Sequence, residues 1–209
     1  MIRIVLIAAV LFASWPASAK TLTRPETVLK TEAPPLSMLL TTYKHYTSIL
    51  GGYADVQGFK QPYERLATVV HEMIHIDSAK HGGFWINGNE YLRPYVTDAA
   101  YWPRLKNQDI LPRLSNGPIA NQYARNAPAN SLANCIDEIN AYTHVIGFIG
   151  SHEPGSLGKQ IAALKGHIEM VAVYLDETQK RGDKLSPEAL TVVNRTIDYA
   201  KKAIERLAI

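Results

Sequence analysis

Cysteine is nearly absent from this sequence of 209 residues: Cys135 stands alone. No intramolecular disulfide can form, so the fold relies on its core or on a metal. Cys135 reads as a small buried residue on a helix face, with a thiolate ligand or an intermolecular bridge as the other uses of a lone thiol. Long apolar runs are missing too. The run over residues 4–15 covers 12 positions, too few to span a bilayer, and no later segment approaches spanning length. Basic stretches are equally scarce. Lysine and arginine number 22 against 19 acids, a formal charge of +3, spread without a cluster or stripe. Nucleic-acid binding, which needs a concentrated basic face, is excluded on that ground. Nothing repeats and no segment is of low complexity, which argues against a solenoid. What remains is enough chain for one good core and too little for two comfortable domains.

The start of the chain reads as a secretory signal. Met1-Ile2-Arg3 is a short positive opening, residues 4–15 are apolar, and Ala17-Ser18-Ala19 is a small-residue cleavage site. No cysteine follows the cut, so a lipid anchor is not indicated. The mature chain is expected to be exported, secreted or periplasmic, with no integral membrane segment. Residues 20–35 are polar and punctuated by proline, and read as a mobile lead-in.

Periodicity then predicts a mainly α fold (α+β) with a small β-hairpin and a C-terminal helical hairpin, forming one domain over residues 36–209. Residues 36–50 have near-helical apolar spacing and stop at Gly51-Gly52. Residues 53–61 have room for one short strand. A helix over residues 62–81 starts at Pro62 and ends at Gly82-Gly83. Residues 84–92 read as a hairpin turning at Asn87-Gly88. Residues 97–130 are mostly connection, with a short helix over 121–126. Asn130-Ser131 offers a cap for a helix over 132–149 that stops at Gly150. Two more helices follow, over 157–180 and from Ser186-Pro187 onward, and read as an antiparallel hairpin. The last carries Leu190, Val193, Ile197, Ala200, Ile204 and Leu207 at three- and four-residue steps.

Chemistry is concentrated in His71-Glu72-Met73-Ile74-His75. Two histidines four apart on a helix lie about 40° and about 6 Å from one another, so both imidazoles can converge on one tetrahedral ion. Glu72 is offset to the side, where a carboxylate reaches water without ligating the metal. The pattern resembles the H-E-x-x-H helix of the zincin metallopeptidases.

A catalytic zinc takes three protein ligands and keeps one position open, and two third ligands are on offer. His81 matches the metzincin spacing H-E-x-x-H-x-x-G-x-x-H, but Ser78 replaces its glycine, and Met170 lies in a helical pattern where that family has a methionine turn. Glu138 suits the gluzincins, whose third ligand is a glutamate on a separate, later helix. Asp137-Glu138-Ile139-Asn140-Ala141-Tyr142 resembles that element, with small Ala141 permitting close packing against the motif helix. Asp137 reads as a solvated neighbour. This resemblance covers residues 62–81 and 131–150. It lacks the zincin sheet ahead of the motif helix, so a reduced core is expected.

The gluzincin resemblance implies Zn²⁺ held by His71, His75 and Glu138, Glu72 as general base, and hydrolysis of peptide bonds in a peptide or protein substrate. Tyr142 and Tyr91 are candidate oxyanion donors. Asp77 reads as a helix-face acid, or as a partner that orients an imidazole. Two alternatives stay open: an amide bond of cell-wall peptides as substrate, and a non-catalytic zinc-stabilised binding module with His81 or His144 as fourth ligand.

Overall fold

A computed structural model describes residues 23–87, 90–95, 110–114 and 132–207. Among the described residues are seven α-helices, two three-residue 3-10 helices (Lys44–Tyr46 and Leu111–Arg113) and one antiparallel hairpin, with helix covering 82%. The mainly α fold with a small hairpin expected from periodicity is what forms. The helices are α1 (Thr23–Glu32), α2 (Pro34–Thr42), α3 (Thr47–Val56), α4 (Pro62–His81), α5 (Leu132–His152), α6 (Pro154–Lys180) and α7 (Pro187–Leu207). The hairpin, β1 (Phe84–Asn87) and β2 (Glu90–Leu92), follows α4. No helix among the described residues is long and apolar enough to cross a membrane. The signal pattern over 1–19, Gly88 of the expected Asn87-Gly88 turn and the short helix over 121–126 lie outside the described residues, while Asn87 itself ends β1 opposite Glu90.

Helix α4 carries the H-E-x-x-H motif and spans the predicted residues. Pro62 opens it, where a missing N–H costs nothing. Gly82 closes it at φ 63, a left-handed conformation open to glycine. Leu66, Ala67, Val69, Val70, Met73 and Ile74 are buried along its length, so the helix is wrapped by neighbours. It packs on α1, α2, α3, α5 and β1.

Helix α5 separates two apolar clusters. Ile136, Ile139 and Ile146 face Leu164 and Tyr174 of α6 and Val193 of α7. Ala141, Val145 and Phe148 face Val69, Val70 and Met73 of α4. Ala141 is fully buried there, in the small-residue role predicted for it. The hairpin bridges the two clusters by strand alternation: Phe84 and Leu92 enter the first, Trp85 and Tyr91 the second.

Several boundaries differ from the sequence-based expectation. The lead-in is not loose: residues 23–32 form α1, and Leu29 is 1% exposed within the second cluster. Residues 36–50 do not make one helix. The chain breaks at Tyr43, whose ring turns inward, and Gly51-Gly52 fall inside α3. Residues 53–61 complete α3 and a turn, with no strand. Arg65 of α4 secures this arrangement, donating to the Gly51 carbonyl at 3.2 Å and to both Asp55 oxygens at 2.7 and 2.9 Å. Gly150 does not stop α5, which runs two residues further. A side chain there would lie 2.9 Å from Leu207 Cδ2, so the glycine is a close-contact site. Helices α6 and α7 each pack on α5 more extensively than on one another, and Leu190 of the predicted apolar stripe is 43% exposed. The buried stripe of α7 is Ala189, Val192, Val193, Thr196 and Ala200.

If α1 is an integral part of the core, Leu29→Ala should cost about 2–5 kcal/mol. Urea unfolding of the parent and the variant measures this directly, and a merely fraying lead-in would leave the midpoint in place.

Candidate metal centre

Helical spacing and the packing of α4 on α5 bring three side chains together. His71 Nε2 lies 3.1 Å from His75 Nε2, and Glu138 Oε2 lies 3.3 Å from the first and 4.0 Å from the second. Among the described residues these three form the one histidine, cysteine and carboxylate group with metal-holding geometry. Tetrahedral zinc with bonds of about 2.0–2.1 Å to nitrogen and oxygen sets its ligands about 3.3 Å apart, and the observed separations bracket that length. Glu138 Oε2 is also buried, with no hydrogen-bond partner beyond the histidine rings it faces, a costly state for a carboxylate unless a cation compensates it. The donor set therefore fits a zinc ion.

The carboxylates around His75 draw positive charge to that ring. Burial opposes charge on His75, but the Asp137 carboxylate, with Glu138 and Glu72 beyond it, carries its pKa up to about 10. Burial opposes charge on Glu138 too. The bond to His71 and the fields of His75, His71 and His167 outweigh that and hold it at about 2. Glu72 is pushed upward by desolvation, against the partial relief of His75 and His71.

Beside His71 and Glu72 lies a cleft of about 240 Å³, walled by Tyr53, Phe59, Tyr142 and Ile149 among others. Tyr142 sets its ring edge-on to His71, with centroids 4.6 Å apart. Burial, then the charges of Glu72 and Glu138, pushes the Tyr53 phenol up, so it stays a neutral donor.

Other predicted candidates lie elsewhere. His81 ends a helix that continues straight through Ser78, and its Nδ1 lies 3.0 Å from the Asp77 carbonyl. It stacks on Tyr91 and does not reach His71 or His75. His144 Nε2 donates to the Trp85 carbonyl at 3.0 Å, and burial pushes its pKa down to about 4. Tyr91 is not on the cleft wall. Its hydroxyl donates to Asp77 Oδ2 at 2.7 Å. Asp77 is neither a solvated helix-face acid nor a partner of the motif imidazoles: it is 4% exposed and accepts from Tyr43 at 2.7 Å as well. Cys135 is buried, as expected of a small core residue, and burial followed by the charge of Glu138 pushes its thiol up.

Sequence reasoning missed Tyr53, Tyr95 and His167 as site residues and misplaced Asp137. Asp137 is not solvated: its Oδ2 lies 2.8 Å from His75 Nδ1 and accepts from the Tyr95 hydroxyl at 3.0 Å. Two adjacent acids on an apolar helix were the available signal. His167 of α6 is 1% exposed, with its ring 5.8 Å from Tyr142. Burial pushes it down to about 4 despite the charge of Glu138. Its signal was a polar residue within the apolar stripe Leu164, His167, Met170, Val171, Tyr174.

No family model matches the chain, and no curated protein and no solved structure is similar to it. The zincin resemblance rests on the residues alone.

Burial, then the bond to Asp77, raises the phenols of Tyr43 and Tyr91 above their ordinary 10.0. The fold thus favours their neutral forms, and this stabilisation is complete below pH 10 and lost as pH climbs from there toward the folded-state values. Urea unfolding followed across alkaline pH should show stability falling above pH 10. Tyr43→Phe should shallow that fall and cost about 1–3 kcal/mol near neutrality.

Proposed function

We propose that this protein is an exported zinc metallopeptidase that hydrolyses peptide bonds, with His71, His75 and Glu138 holding the metal and Glu72 as general base. The observation that carries this reading is the convergence of His71 Nε2, His75 Nε2 and Glu138 Oε2 beside a cleft that Glu72 also lines. The gluzincin resemblance supplies the reaction class, and the signal pattern of residues 1–19 supplies the export.

Bound at this centre, zinc would supply Lewis acidity, polarising the scissile carbonyl and making water nucleophilic near neutral pH. Glu72 accepts a proton from the attacking water and passes it to the amine nitrogen as the C–N bond breaks. Desolvation suits it to this task, because a raised carboxyl holds a transferred proton better than an ordinary carboxylate. Tyr53 and Tyr142 on the cleft wall are the phenols available to donate to the carbonyl oxygen as it gains charge. One water is consumed per bond, yielding an acid and an amine. The same chemistry would serve an amide of a cell-wall peptide, with the cleft walls choosing between substrates.

A binding module braced by zinc would take a fourth protein ligand. His81 and His144, the candidates for that place, are engaged by Asp77 and Trp85, and such a site has no use for a carboxylate in the cleft beside it.

Purified mature protein should carry about one zinc per chain by elemental analysis, and Glu138→Ala should lose it. Glu72→Ala should keep the metal and lose about a hundred- to ten-thousandfold in peptide hydrolysis. A parent that takes up no zinc after reconstitution would sink the reading, as would Glu72→Ala losing its metal.

A further inference from the structure

We infer that Asp137 and Tyr95 are a positioning pair for His75, fixing which ring nitrogen faces the metal centre. The inference rests on the metallopeptidase reading and assigns two residues that the motif does not contain. His75 has its two nitrogens in different company. Nε2 faces His71 Nε2 at 3.1 Å and Glu138 Oε2 at 4.0 Å, whereas Nδ1 lies 2.8 Å from Asp137 Oδ2. A neutral imidazole carries one proton. With that proton on Nδ1, beside the Asp137 carboxylate at 2.8 Å, the lone pair is on Nε2, the atom a cation requires.

Asp137 is itself held. The Tyr95 hydroxyl donates to the same Oδ2 at 3.0 Å, so the carboxylate is gripped from two sides. Tyr95 is 6% exposed and anchored by its own backbone, whose N–H donates to the Gly82 carbonyl at 3.2 Å. Its ring packs against Phe84, with centroids 5.1 Å apart. The strand-exit residue thus ties the end of α4 to the start of α5 through the carboxylate that orients His75. Consecutive residues of α5 divide the work: Glu138 faces the metal centre and Asp137 faces the imidazole behind it. Asp137 also adds negative charge on the far side of the ring, which strengthens Nε2 as a donor.

The test uses mature parent, Asp137→Asn, Asp137→Ala and Tyr95→Phe, each checked for native helix content by circular dichroism. Zinc affinity is measured by competition with a chromophoric chelator, and Co²⁺ replaces zinc to give a visible spectrum that reports ligand geometry. Asp137→Ala should weaken zinc by about ten- to hundredfold and shift the cobalt bands. Asp137→Asn, which keeps an acceptor but not the charge, should fall between it and the parent. Tyr95→Phe retains the packed ring and should weaken zinc by a smaller factor in the same direction. Should Asp137→Ala fail to fold, the Asn and Phe variants decide the matter alone. Parent-like affinity and cobalt spectrum in both would overturn the inference while leaving the metal centre standing. A parent that binds neither metal would overturn both readings.

Discussion

The contact between the histidine face of α4 and the acidic face of α5 is the constraint on which the rest of the structure depends. It sets two imidazoles and three carboxylates in a small, largely desolvated space, an arrangement that costs several kcal/mol per uncompensated ion. Apolar packing on either side meets that cost. Val69, Val70 and Met73 lock α4 to Ala141 and Val145 of α5, while Ile136 and Ile139 anchor the other side of α5 to α6 and α7. Helix α5 is thus buried on two faces, and its acids have few places to go other than toward α4. A cation at Glu138 would turn this expensive cluster into a compensated one.

A second polar knot holds the far half of α4. Asp77 sits one helical turn beyond Met73, and the hydroxyls of Tyr43 and Tyr91 meet it from opposite segments of the chain. Ser78 accepts from the Trp85 N–H at 3.0 Å, so the hairpin is stitched to the same turn. These bonds bear on one break in the chain and on one helix that runs as predicted. The chain breaks at Tyr43, whose phenol reaches Asp77, and α4 runs unbroken to His81 with the Ser78 hydroxyl committed to the hairpin. The metzincin geometry needs the backbone to leave the helix at that position, and here the fold braces it.

Much of this was legible before any coordinates. The bounds of α4 follow from Pro62 and Gly82, and the hairpin after it from alternation. Helix α7 follows from Ser186, whose Oγ accepts from the Ala189 N–H at 3.1 Å. His71 and His75 share a face because the helix repeat requires it. Errors arose where a local signal met a stronger tertiary one. Gly51-Gly52 look like a stop, yet Arg65 clamps the turn that contains them. Gly150 looks like a stop, yet Leu207 needs the space. Proline-rich residues 20–35 look loose, yet Leu29 finds the second apolar cluster.

Sequence by itself determined the elements whose logic is local: helix periods, proline starts, glycine ends, the i,i+4 histidine pair and the adjacent carboxylate of Glu72. These need only the geometry of one helix. Tertiary structure alone decided which distant groups share a dielectric. It turned Asp137 from a surface acid into the partner of His75, and buried Asp77 between two phenols. It sent His81 and His144 to backbone carbonyls and placed His167 and Tyr53 near the centre. The physical reason is that a side chain's chemistry depends on desolvation and on its nearest charges, and both are set by helices some 60 residues apart coming into contact.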